Sequence, residues 1–186
     1  HNLALVALSF VLRGNGNGAE AALEQIDRMG GYTGLTPPEF SWTDRCLARA
    51  LVAVGRRRMD PAAEALAEVL PFMERMEQWP IVVEAESQIA RQTQGAAGAR
   101  VLLRKRLDEQ PEDREVSPAW QVRLLTGLAD LATFSGRYPE SEETLGRIRT
   151  SEHLTEVTNP PVAISEARLL LYRARYVTAA KVLSSC

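Results

Sequence analysis

The sequence predicts an all-α protein, a right-handed superhelix of about five stacked helix-turn-helix pairs. Two observations predict it: a spaced pattern of small residues and leucines that recurs along the chain, and turn residues that fall inside each copy of it. Four leucines anchor the pattern: Leu23, Leu66, Leu145 and Leu183. Four residues before each stands a small residue, Ala19, Ala62, Ser141 and Ala179, and sixteen before each stands an alanine, Ala7, Ala50, Ala129 and Ala167. Between the two small positions lie turn signals such as Arg13-Gly14-Asn15-Gly16, Met59-Asp60-Pro61 and Ser135-Gly136-Arg137-Tyr138-Pro139. Each copy therefore reads as helix, tight turn, helix. The small residues let two helices approach closely, and the leucine fills the space between pairs.

First helices are expected over 3–13, 37–56, 80–94, 118–135 and 161–176, and second helices over 18–29, 61–77, 97–109, 139–150 and 178–186. The middle pair is a weaker copy. Its first helix carries Val82, Ala85 and Ile89 on one face, Gly95-Ala96-Ala97-Gly98 is its turn, and Leu102, Leu103 and Leu107 are apolar on its second helix. Its loop is about one residue short, and Glu86 falls where the other copies have alanine. That is either a shift of register or a polar residue facing the partner helix. Of ten prolines, all but Pro71 fall at or beside a predicted boundary. Pro61, Pro118 and Pro139 sit near first turns, where the missing N–H costs nothing. Thr36-Pro37-Pro38-Glu39 resembles a capping box, and Asp60 and Ser117 are natural N-caps. Pro71 should kink or break its helix. Period-2 alternation is absent apart from Ile81-Val82-Val83, which lies inside a helical pattern, so no sheet is expected.

Composition narrows the function. The chain has 186 residues, 45% hydrophobic and 25% charged, which is enough to bury a core and argues against disorder. Its 22 basic and 24 acidic residues give a net charge of -2, a poor basis for neutralising phosphates, so no direct nucleic-acid contact is expected. The uncharged run from His1 to Leu12 is too short to span a bilayer and lacks the positive start of a signal peptide, so no membrane association is expected. Two distant cysteines, Cys46 and Cys186, make no disulfide framework, which points to a reducing, cytoplasmic compartment. With two histidines, His1 and His153, ligands are too few for a zinc site. The missing initiator Met and the Ser-Ser-Cys end predict that residues 1–186 are a single helical-repeat domain cut from a longer protein.

Catalytic chemistry finds few residues to carry it. Gly14-Asn15-Gly16-Asn17-Gly18-Ala19 fits a dinucleotide fingerprint, but no βαβ unit surrounds it, and a turn between helices explains it. Arg56-Arg57-Arg58 and Arg104-Lys105-Arg106 could touch phosphate, but the acidic balance favours solvated faces. Cys46 lies on an apolar helix face with no activating neighbour in sequence, and His153 stands in a polar connector. Trp42 and Trp120 sit near the starts of first helices and Trp79 precedes one, as packing residues or as ring platforms on a binding wall. An enzyme, a metal and a cofactor are not expected.

A binding wall is. In stacked pairs the first helices line the concave surface. Positions counted from the small residue place Thr126, Asp130, Thr133 and Phe134 on that wall in the fourth pair, with Arg123 one turn earlier. The same count places Ile164, Arg168, Leu171 and Tyr172 there in the last pair and Leu47, Leu51 and Val54 in the second. The candidate ligand residues are Arg123, Thr126, Asp130, Arg168 and Tyr172, a mixture suited to a small polar metabolite or a peptide segment. Equally, the arginines and the aspartate would pair with each other across neighbouring helices.

The stretch from Leu128 to Leu145, with its Gly136-Arg137-Tyr138 turn, small Ser141 and Leu145, resembles a tetratricopeptide-type repeat. The copies are longer than the standard 34 residues, at about 40. Such longer, Ala/Leu/Arg-rich copies resemble the sensor region of MalT-like, LuxR-type bacterial transcription regulators. The resemblance implies a superhelix that binds a small-molecule inducer or a regulatory protein, self-association, and neighbouring ATPase and helix-turn-helix parts. Ala132 stands where tetratricopeptides usually carry an aromatic, and the lysine/asparagine clamp of chaperone-binding members is absent, so a C-terminal-peptide clamp is not implied. The alternative function is a protein–protein scaffold with no small-molecule ligand.

Overall fold

The computed structural model describes residues 2–29, 40–75, 78–110, 116–151, 154 and 160–184, and among them every regular element is a helix. In order they are α1 (Asn2–Leu12), α2 (Gly16–Arg28), α3 (Phe40–Gly55), α4 (Met59–Val69), α5 (Trp79–Asp108), α6 (Pro118–Phe134), α7 (Tyr138–Thr150), α8 (Pro161–Tyr172) and α9 (Tyr176–Ser184). The protein is all-α. Pro71 ends α4 early: the chain leaves Val69 into a 3-10 turn, Leu70–Arg75, as a proline without an N–H requires. The capping box proposed at Thr36 and the connector holding His153 lie outside the described residues.

The chain divides into two compact units, His1–Thr93 and Gln94–Cys186. In the first, α1 packs on α2 and α3, α2 on α3, and α3 on α4. Ile89 of α5 rests on the cluster of Ala53, Val54 and Ala62. In the second, α6 packs on α7 and α8, α7 on α8, and α8 on α9. Its core is Val122, Ala129, Leu145, Ile148, Leu154, Val162 and Leu169, continued by Ala167, Leu170 and Ala179. Within each unit a first helix thus touches its own partner and the next first helix, and the partner touches that next helix as well.

The small positions of the repeat are all buried, none of the eight more than 2% exposed. A larger side chain at any of them would push the paired helices apart. Three of the four anchoring leucines are buried with them, whereas Leu183 is 49% exposed.

One turn joins each of these four pairs. Nine residues before each leucine stands a residue with positive φ: Gly14 (79°), Arg57 (57°), Gly136 (74°) and Ala174 (56°). Each turn makes the same backbone bonds. The N–H of the positive-φ residue bonds the carbonyl three back, and the next N–H bonds the carbonyl five back, as in Asn15 to Phe10, Arg58 to Ala53, Arg137 to Ala132 and Arg175 to Leu170. This is the Schellman closure of a helix, which satisfies the last carbonyls of the first helix while reversing the chain. The second helix then starts at once. Among the second helices α2, α4 and α7, only α2 has a side-chain cap, Asn15 Oδ1 accepting from Gly18 N–H at 2.9 Å, and Asp60 sits inside the first turn of α4 rather than at its cap.

The middle copy is built differently. α5 is interrupted at Gly95, whose φ of 76° and ψ of -179° lie in a region open essentially to glycine alone. The interruption is shorter than a Schellman turn, and it resolves the register. Ser87, Ala99 and Leu103 are the buried residues at the repeat spacing, one position later than a reading anchored on Leu102, and Glu86 is only partly buried.

Candidate functional site

The predicted wall in the second unit is carried by α6 and α8, which pack side by side because Ala129 and Ala167 leave room between them and their partners. Asp130 and Arg168 form an ion pair across the two helices, and one turn on, the rings of Phe134 and Tyr172 meet edge to face at 5.6 Å. Asp130 receives Arg168 on Oδ2 only; its Oδ1 is buried with no hydrogen-bond donor. Tyr172 is exposed and Arg168 partly so. Two turns before Asp130, Arg123 lies 5.0 Å from the centre of the Trp120 ring, a cation–π contact that holds the guanidinium at the start of α6.

Of the remaining wall residues, Ile164 and Leu171 on α8 are exposed, and the others point inward. Thr126 is buried and its hydroxyl donates to the carbonyls of Val122 and Arg123 in its own helix. Thr133 is fully buried against Ser141, the two hydroxyls 2.9 Å apart. In α3 the corresponding Leu47, Leu51 and Val54 are buried in the first unit's core and present no wall. The structure therefore brings Asp130, Arg168 and Tyr172 together, adds Phe134, keeps Arg123 on the same side of α6, and places Thr126 behind them. Chemically the patch offers the exposed part of an ion-paired guanidinium and two rings, with the bare carboxylate oxygen of Asp130 buried beneath them. It can hold a polar molecule.

Other marked residues have structural partners. Arg56 and Arg58 both bond Glu20, while Arg104 is ion-paired with Glu140, and Lys105 and Arg106 with Glu109. The glycine run at 14–18 is the first Schellman turn. Trp79 is 2% exposed, and Trp42 packs edge to face on Phe72. Cys46 is buried and its thiol donates to Glu68 Oε2 at 3.4 Å. Burial, with the charge and hydrogen bond of Glu68, pushes the thiol up to about 12 against the weaker pull of Arg45 and Arg49, so it stays protonated and inert. Asp44, 7% exposed and hydrogen-bonded by Gln78 at 3.4 Å, is raised above the usual carboxylate range by burial. Asp27 is lowered: burial works to raise it, but Arg45 and Arg49 bond and neutralise it. No group of three or more His, Cys, Asp or Glu among the described residues could hold a metal ion. No helix of the described residues is long and apolar enough to cross a membrane.

Two cavities were not anticipated. One of about 310 Å³ lies between α2, α3 and α4, bordered by Glu20, Arg49, Arg58 and Glu64 over Leu23 and Val52. Both of its arginines are engaged, by Asp27 and Glu20. The other, of about 180 Å³, lies between α5, α6 and α7, with leucines below and Arg104 and Arg147 above. No local signal in the sequence marks it: Leu124, Leu128 and Leu131 follow the i, i+4, i+7 spacing of a single packing stripe.

No family model matches the chain, and no curated protein or solved structure is significantly similar to it.

Proposed function

We propose that the chain is a ligand- or partner-sensing helical-repeat domain of a bacterial transcription regulator of the MalT-like kind, acting in the cytoplasm by binding on the wall of its first helices. The observation that carries this reading is the recurrence of one turn, with one set of backbone bonds, at one distance from four leucines. A regular unit of that kind supports a right-handed tetratricopeptide-like superhelix, whose use in proteins is to present an extended concave surface. On that surface Tyr172 presents an exposed ring and Arg168 a partly exposed guanidinium, paired with Asp130, whose Oδ1 is buried with no hydrogen-bond donor. A ligand bound there shifts the population toward one curvature of the stack, and attached domains respond.

Thermal unfolding in the presence of a metabolite panel tests the reading. A ligand at a hundred times its Kd stabilises by about 2.7 kcal/mol, a rise of roughly 5–10 °C for a chain this size. Arg168→Ala and Arg123→Ala should each reduce the rise. A panel without effect, together with co-purification of a partner chain, favours the second reading, a protein–protein scaffold. One observation supports that alternative: Tyr176, Val177 and Leu183 expose an apolar face on α9.

A further inference from the structure

The smaller cavity belongs to a different side of α6 from the wall. At 3.6 residues per turn, Gln121, Leu125 and Leu128 lie opposite Arg123, Asp130 and Phe134. The cavity is a half-open hollow lined entirely by second-unit residues, from the end of α5, Gln110, Val116, the first half of α6 and α7.

Its floor is apolar. Leu124 and Leu128 are buried, and Leu107 and Leu125 are partly so and face the space. At about 180 Å³ it is slightly larger than an engineered apolar cavity of about 150 Å³ that takes a benzene ring.

Its rim is cationic. Arg100 bonds Glu140 at 2.7 Å and Arg104 is ion-paired with it at 3.2 Å, so this trio keeps one positive charge that Glu140 does not neutralise. Arg147 is exposed, borders the cavity, and has no ion-pair partner among the described residues. Asp108 stands on the same rim and offsets one of these charges, leaving one in excess. Gln121 adds an amide, tied on one side to the carbonyl of Val116 at 2.9 Å. The larger cavity of the first unit has no such excess, since its two arginines are already bonded to acids.

An apolar floor under a rim with one surplus guanidinium is complementary to a molecule with a compact apolar body and a single carboxylate. Ring or chain would displace water from leucine, and the carboxylate would take the charge-assisted bonds that arginine makes best. We propose that this cavity is a binding site for a small organic carboxylate, its body on Leu107, Leu124, Leu125 and Leu128 and its head on Arg147, with Arg104 behind. The site does not depend on sensing by the first-helix wall.

Phenylacetate is the probe, and phenylacetamide is its neutral counterpart of equal size. Each is titrated into the 186-residue chain, with binding followed by calorimetry and by the methyl resonances of the leucines. The expected result is millimolar or tighter binding of phenylacetate, with shifts at Leu124 and Leu125. The amide should bind at least ten-fold more weakly. Arg147→Ala should lose about ten-fold for the acid and little for the amide, and Arg147→Lys should retain part of the difference. Absence of phenylacetate binding overturns the proposal. So does equal affinity for acid and amide, or an Arg147→Ala variant that binds as well as the parent. Shifts confined to the Asp130–Arg168 patch would also overturn it, while leaving the sensing wall supported.

Discussion

Val54 and Ala62 in the first unit stand at the same repeat positions as Thr133 and Ser141 in the second. The first two are packed hydrocarbon; the second two are a hydroxyl pair 2.9 Å apart, fully buried. Val matches Thr and Ala matches Ser in size, and only their chemistry differs. Ion pairs between neighbouring pairs of helices show the same freedom. Glu20–Arg56 and Glu142–Arg173 occupy equivalent positions with the same sign, but Asp27–Arg49 and Arg149–Glu166 are equivalent with the charges exchanged. Among the described residues the buried polar groups of the second unit are all hydroxyls, whereas the first unit adds the ionisable Asp44, under Gln78, to Thr43 and Ser87. The comparison teaches that size and backbone closure define the repeat, while polar chemistry is decoration that must be kept in matched pairs.

The strongest way to break the comparison is to unmatch a buried pair. Thr133→Val leaves the Ser141 hydroxyl without its partner and should cost about 2 kcal/mol in urea unfolding. The double change Thr133→Val with Ser141→Ala copies the first unit and should recover all but about 1 kcal/mol; a double variant no better than the single would show that the hydroxyl pair is not matched chemistry. Next is Asp44→Asn, expected to gain about 1 kcal/mol at pH 7 by removing a buried charge. Asp44 is raised in the folded state, so its favourable contribution is complete below the ordinary carboxylate value and is lost as pH climbs through the raised one. The gain of the variant should therefore fade on acidification. Asp27, lowered by Arg45 and Arg49, acts in the opposite sense: its contribution is present above the ordinary value and disappears as pH falls through the lowered one.

The turns come third. Gly136→Ala places a Cβ at positive φ with nothing crowding it, so the cost is conformational, about 1 kcal/mol. Ala174→Gly relieves the same strain at the equivalent site and should gain up to about 1 kcal/mol in thermal midpoint analysis, less the added freedom of the unfolded chain. The smallest effect is Glu166→Arg, which sets two arginines against each other at a partly exposed site and should cost about 0.5 kcal/mol. Adding Arg149→Asp rebuilds the order found in the first unit and should restore stability; no restoration would mean that sign exchange between units is not neutral.

Much of this was legible because the repeat is written in residue size. The small residues and leucines located the helix pairs, and glycines and prolines located their ends to within a few residues. The middle copy slipped by one because Gly95 replaces a longer turn, and nothing in Gly95-Ala96-Ala97-Gly98 distinguishes that break from an ordinary loop. The positive φ of Arg57 and Ala174 was hidden, since neither residue favours it; only the spacing shared with Gly14 and Gly136 could have suggested it. At the wall, the pairing of Asp130 with Arg168 was foreseen as one of two outcomes. The inward turn of Thr126 was not, because one position around a helix decides whether a hydroxyl meets solvent or its own backbone. The cavity between α5, α6 and α7 is set by how three helices diverge, which no local pattern records.

The exposed face of α9 bears on how the molecule breathes. Among its residues only Ala179 is buried, with Val182 partly covered, so opening it sacrifices little apolar contact. Elements of that kind detach in excursions far cheaper than global unfolding. Amide hydrogens of α9 should accordingly exchange with solvent deuterium well before those of α6, whose eight buried residues tie it to the most cooperative part of the second unit.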